Sequence, residues 1–159
     1  IRQKTASLIA SACACGVASV NGNDANMIEN ARLLGEKIGI AFQIIDDTLN
    51  VKGFKDNLKT KGEDITAGKI TYPIAKAMPL LDKSDRKRLW EIVSAKTDNL
   101  ELITEAVALL DKVKAIERCE REAKTNLERA WKKLDPLLRD SMVKLNLRAF
   151  SWFVLERTY

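Results

Sequence analysis

Histidine is absent from this 159-residue chain. The usual general base is therefore missing, and no Cys/His zinc pattern can form. Chemistry here falls to carboxylates, lysine, tyrosine or a bound metal. Cysteine is scarce: Cys13, Cys15 and Cys119 are an odd count and make no disulfide framework. They read as small buried residues in a reducing compartment. Only 7 Gly and 3 Pro are present, so turn signals are few and helices are favoured over a sheet. Aromatics make up 6% of the chain, and the basic residues are not interleaved with them as a nucleic-acid surface requires. No apolar run reaches the ~20 residues that cross a bilayer. The most apolar stretch, residues 6–20, is made of Ala, Ser and Cys and reads as a closely packed internal helix. No signal peptide is visible, and the opening residue is Ile1 rather than Met, as in a piece of a longer protein.

What is there is 46% hydrophobic and 31% charged, enough for one domain with a core over residues 1–159. A net charge of +5 is mild and suits an anionic small molecule. The apolar spacing predicts helices over residues 2–20 and 25–51, the second capped by Asp24. Gly35 and Gly39 inside the second helix each cost about 1 kcal/mol against Ala, which calls for a packing or functional reason. Residues 52–68 are rich in Lys and Gly and read as a solvated loop, a candidate lid. A short helix follows Thr71-Tyr72-Pro73 and stops before Pro79. Beyond it, Ser84 is the expected cap of a helix to about Lys96. Asp98 is the expected cap of a helix from Leu100 to about Arg118. Another helix runs to about Trp131, and Pro136 opens the last one.

One segment carries chemistry. With Gln43 at 0° on a helical wheel, Asp47 falls near ~40°, Asp46 near ~300°, Asn50 near ~340° and Gly39 near ~320°. Ile38, Ala41, Ile45 and Leu49 cover the opposite side. A narrow polar stripe with two carboxylates thus lies on an otherwise apolar helix. Buried carboxylates repel each other and lose hydration, so a cation or a metal must stand beside them. Oxygen ligands on one helical face suit Mg²⁺. The bland alternative is an exposed acidic face, which the apolar neighbours and the basic segment downstream disfavour.

The stretch Gly39-Ile40-Ala41-Phe42-Gln43-Ile44-Ile45-Asp46-Asp47-Thr48-Leu49-Asn50 resembles the second aspartate-rich motif of trans-isoprenyl (polyprenyl) diphosphate synthases. Lys4-Thr5-Ala6-Ser7-Leu8 resembles the family's Lys-Thr motif. Lys59-Thr60-Lys61-Gly62-Glu63-Asp64 and Gly68-Lys69-Ile70-Thr71-Tyr72-Pro73 resemble its Lys-x-x-Gly-x-Asp and Gly-Lys-x-Thr-x-Pro stretches. The motifs stand in order over residues 4–73. The resemblance implies an all-α helical bundle of the isoprenoid synthase type, of which this chain is the C-terminal part. It implies condensation of an allylic diphosphate with isopentenyl diphosphate, dependent on Mg²⁺, in a homodimer. Asp46 and Asp47 would hold metal, with Asn50 a weaker candidate because the family's usual acid is an amide here. Lys4, Thr5, Gln43, Lys59 and Lys69 would bind the substrate diphosphate, with Lys61 as an alternative to Lys59. Phe42 would face the isoprenoid cavity.

The family's first aspartate-rich motif, which the resemblance places upstream of Ile1, is missing. Residues 1–159 alone are therefore expected to be inactive. The Lys-Thr-Ala-Ser-Leu-Ile-Ala wording leans towards a medium- or long-chain product. A non-catalytic regulatory subunit of a heteromer is the main alternative, against which the retained Lys, Gln and Asp residues speak. A class I terpene cyclase would carry a different second metal motif, and none is seen around residues 46–55. The expected location is the cytoplasm or an organelle interior, peripheral to a membrane for a long-chain product.

Overall fold

The structure is a computed structural model that describes residues 2–22, 24–53 and 62–157, without the side chains of Arg2, Lys4 and Asn21. Among the described residues, eight α-helices run in the order α1 Ser7–Asn21, α2 Ala25–Lys52, α3 Glu63–Thr66, α4 Tyr72–Ala77, α5 Lys83–Ala95, α6 Leu100–Lys112, α7 Ala115–Leu134 and α8 Met142–Glu156. No strand occurs among the described residues. They gather into two compact units. The first holds the chain up to Ile45 together with Glu122–Arg157, and the second holds Asp46–Arg121.

In the first unit, α1 is preceded by a π-helical segment, Arg2–Ala6. Its last residue, Ala6, is fully buried. A Cβ built on Gly39 would lie 2.5 Å from the Ala6 Cα, closer than any real contact. A Cβ on Gly35 would lie 2.7 Å from the Ile9 carbonyl oxygen and 2.8 Å from the Cys13 Sγ. The two glycines thus let the backbones of α1 and α2 touch, which accounts for their cost within a helix. Ala6, Ala10 and Cys13 face α2 in this way, but Ala12, Cys15, Gly16 and Val20 are exposed, so α1 packs on one face and is not the internal helix expected from its composition. Asp24 caps α2 as the sequence predicts, its Oδ1 accepting from the Met27 N–H at 2.9 Å. On α8, the Arg148 guanidinium lies over the Trp131 and Trp152 rings and pairs with Glu128 at 2.7 Å.

The second unit is built round Ile65, Ile74, Leu89, Val93, Ala106 and Leu110, which expose 1% of their surface or less. Each large side chain buried in this way contributes roughly 1.5–3 kcal/mol. The segment read from sequence as solvated loop is partly helix. Residues 54–61 lie outside the described residues, but α3 follows them and its Ile65 is fully buried. One isoleucine anchors the turn, and the surrounding Lys and Gly concealed it.

Four helix boundaries differ from expectation. Asp82, not Ser84, caps α5 by accepting from the Asp85 N–H. Asn99, not Asp98, caps α6 through the Glu101 and Leu102 N–H groups. The break expected near residue 119 falls at Val113–Lys114, where Lys114 adopts φ 52. Pro136 opens only a single 3₁₀ turn, and Ser141 caps α8. At α5 and α6 a polar side chain one or two residues away has the better geometry for the exposed N–H groups. The cysteines also divide. Cys119 is buried, whereas Cys13 is intermediate and Cys15 exposed, so Cys15 corrects the expectation that all three are interior.

The packing argument has a paired test. Gly39→Ala should destabilise the chain by about 1–3 kcal/mol, through the clash with Ala6. Gly16→Ala meets nothing within 4 Å and should stabilise it by up to about 1 kcal/mol. Urea denaturation followed by circular dichroism measures both. Equal shifts of one sign would contradict the close approach.

Candidate active site

The polar stripe of α2 forms where the sequence places it, and its members have different surroundings. Asp46 is half-buried, while Asp47, Thr48 and Asn50 are buried at 7%, 0% and 6% exposure. A carboxylate as buried as Asp47 needs donors. Its Oδ2 accepts from the Tyr72 N–H at 2.8 Å. Tyr72 opens α4, whose N-cap residue Thr71 makes no side-chain cap bond, and the next residue is Pro73, which has no N–H. Asp47 therefore supplies from another helix the acceptor that the α4 terminus lacks.

Asn50 does the same for α3. Its backbone oxygen accepts from the Gly62 N–H at 2.9 Å, and its Oδ1 accepts from the Asp64 N–H at 3.1 Å. Gly62 has φ 78, a left-handed conformation that suits glycine, and makes no side-chain cap. The amide oxygen singled out from sequence as a weak metal ligand is thus turned to a peptide group.

Between these two anchors sits Lys69. Its Nζ lies 2.7 Å from the Asp64 Oδ1, and its backbone N–H donates to the Asp64 carbonyl at 2.8 Å. The hydrogen bond and then the charge of Asp64 hold the Lys69 pKa above its ordinary 10.5, and Asp47 adds a smaller Coulombic share. The ammonium keeps 62% of its side-chain surface exposed, so it remains available to an anion. Residues 62–72 form a strap tied to α2 at both ends, with this cation near its middle.

The remaining predicted residues belong to the first unit or to undescribed segments. Gln43 is half-buried one turn before Asp47. Phe42 is 39% exposed. The Arg157 guanidinium stacks on its ring at 3.6 Å and donates to its carbonyl at 2.7 Å. Thr5 is half-buried in the π-helical segment, which also contains the backbone of Lys4. Such a departure from α geometry is uncommon and recurs at functional sites. Lys59 and Lys61 lie outside the described residues. Sequence reasoning missed Arg157, for which no motif existed. It also missed the parts of Asp64 and the Tyr72 peptide, although both lie within motifs it quoted.

No three Asp, Glu, Cys or His side chains among the described residues gather into a ready-made metal cage. Mg²⁺ characteristically uses one or two carboxylates and completes its shell with water and substrate phosphate. Asp46 and Asp47 supply hard oxygen donors and no sulfur or nitrogen, so the donor set fits.

A family model described as polyprenyl synthetase matches residues 1–110. The chain belongs to the polyprenyl synthetase family. It is 34% identical over 160 residues to the short chain isoprenyl diphosphate synthase of Methanothermobacter thermautotrophicus, covering 100% of this chain and 48% of that protein. It is 30% identical over 160 residues to heptaprenyl diphosphate synthase component 2 of Geobacillus stearothermophilus, again covering 100% of this chain and 48% of the relative. It superimposes with a TM-score of 0.81, at 30% identity, on the crystal structure of geranylgeranyl pyrophosphate synthase from Corynebacterium glutamicum complexed with calcium and isoprenyl diphosphate. That match covers 99% of this chain and 48% of the other. The chain spans about half the length of the curated relatives it matches. The fold is the all-α isoprenoid synthase fold of these structures. No described helix is long and apolar enough to cross a membrane.

The Lys69–Asp64 pair has a direct test. Asp64→Asn removes the main group that stabilises the Lys69 ammonium, so Lys69 should release its proton at a lower pH than in the wild type. An NMR titration of the lysine Nζ resonance reads this. An unchanged or higher midpoint would disprove the pairing.

Proposed function

We propose that this chain carries one part of the active site of a prenyltransferase. In that reaction an allylic diphosphate ionises, the double bond of isopentenyl diphosphate attacks the allylic cation, and a proton is lost. Medium- and long-chain products are the favoured outcome. Support comes from family membership and from one observation in particular. The strap of residues 62–72 is bonded to α2 at both ends and keeps the Lys69 ammonium in the same unit as Asp46 and Asp47. A diphosphate needs both halves of this arrangement: cations for its oxygens, and a carboxylate that holds its metal.

In this reading Asp46 holds Mg²⁺ directly, Asp47 supports it from beside Lys69 rather than as a ligand, and Asn50 contributes little to the metal. Bound Mg²⁺ supplies Lewis-acid neutralisation of the charge that builds on the leaving diphosphate. Lys69 and Lys4 offer point charges to that diphosphate, with Lys59, or Lys61 in a shifted register, as a further cation. Thr5 and Gln43 donate hydrogen bonds to it. Phe42 faces the isoprenoid chain.

Assembly is proposed as a homodimer. A heteromer, with this chain as a regulatory or catalytic component, is the second reading. One observation favours it: the 30% identity to a protein named as component 2 of a heptaprenyl diphosphate synthase.

In the full-length protein, Asp46→Ala should lower Mg²⁺-dependent condensation by at least about a hundredfold while leaving the helical circular dichroism unchanged. Turnover at the wild-type rate would remove Asp46 from the metal site. A polypeptide of residues 1–159 alone should yield no isoprenoid product from radiolabelled isopentenyl diphosphate. Product from it would show that the proposed missing carboxylates are dispensable.

A further inference from the structure

Within this reading, α2 carries three oxygen-bearing side chains on one stripe, and two of them bond to peptide groups of the strap. Asp47 Oδ2 is engaged with the Tyr72 N–H, and Asn50 Oδ1 with the Asp64 N–H. Each acceptor replaces a cap that the receiving helix does not supply itself: neither Gly62 nor Thr71 forms a side-chain cap bond. The Thr71 Oγ1 is buried without a partner among the described residues, so the α4 terminus has no cap of its own to fall back on. Both bonds reach one short stretch of chain, and between them Asp64 grips Lys69 twice, through Nζ at 2.7 Å and through the backbone N–H at 2.8 Å.

We propose that Asp47 and Asn50 are positioning residues that cap α3 and α4 from α2 and, through Asp64, fix the Lys69 ammonium for the substrate diphosphate. The caps orient a cation-bearing strap, and the metal contact proposed for Asp46 stands apart from them. The capping role also explains why an amide serves at residue 50. A cap needs an acceptor oxygen and not a charge, and Asn is as good a cap as Asp.

The inference rests on the prenyltransferase reading only for the identity of the ligand, so its test begins without turnover. In the full-length protein free of metal, amide hydrogen exchange is measured at Asp64 and Tyr72. Binding of inorganic diphosphate and the Mg²⁺ dependence of that binding are then measured by calorimetry. Asn50→Ala should speed exchange at Asp64 and weaken diphosphate binding, each by about tenfold, the loss expected for a removed cap. Asn50→Asp, which restores an acceptor oxygen, should recover both. Asp47→Asn keeps an acceptor and should leave Tyr72 protected, with the half-saturating Mg²⁺ concentration within about threefold of wild type.

Two results would overturn the proposal. One is an Asn50→Ala protein whose Asp64 exchange and diphosphate affinity match wild type. The other is an Asp47→Asn protein in which Tyr72 stays protected but half-saturating Mg²⁺ rises more than about tenfold, the signature of a lost ligand. A wild-type protein that makes no isoprenoid product, yet shows the expected exchange and diphosphate binding changes, would sink the prenyltransferase reading and leave the positioning roles standing.

Discussion

A buried carboxylate has to be given donors or a counter-charge, and Asp47 takes its donor from a peptide group 25 residues along the chain. Much of the second unit's site follows from that requirement. The Tyr72 N–H that satisfies Asp47 also begins α4, and Ile74 and Ala77 of α4 enter the core with no exposure at all. A polar demand on one helix is therefore met by an element that the hydrophobic core already holds. Asn50 repeats the arrangement at α3, whose Ile65 is equally buried. Apolar burial provides the energy for the strap, and the two polar bonds fix where along α2 it lies.

The first unit solves a different problem. Ala6 and Gly39 bring two backbones closer than side chains would normally allow. The approach happens at the end of the π-helical segment that holds Lys4 and Thr5. A glycine in mid-helix costs about 1 kcal/mol, and the contact it permits offsets that cost by dispersion between closely packed atoms. The same closeness constrains the segment's backbone, because any displacement of Ala6 towards α2 meets main-chain atoms rather than a flexible side chain.

Sequence made the helices and the polar stripe legible because both depend on period alone. Gln43, the Asp46-Asp47 pair and Asn50 stand three or four residues apart, and no tertiary information is needed to put them on one face. Two things were hidden. Caps were assigned to Ser84 and Asp98 where Asp82 and Asn99 do the work, since neighbouring polar residues compete for the same N–H groups and only backbone angles decide. The strap read as loop because Lys and Gly dominate its composition, whereas a single buried Ile65 is enough to order a four-residue helix. The division of labour along the stripe was equally invisible, because Asp46 and Asp47 are adjacent and chemically identical until their surroundings are known.

The absence of histidine bears on how this site handles charge. A diphosphate brings several negative oxygens, and imidazole would gain or lose its proton near neutral pH. Lysine does not, and at Lys69 the Asp64 carboxylate pushes its titration further still from that range. The ammonium is thus a fixed charge over the whole physiological range. A leaving group of high charge needs constant electrostatic partners more than a proton donor. The Lys69 ammonium, held by Asp64 on a strap that a single helix caps, is such a partner for the proposed diphosphate.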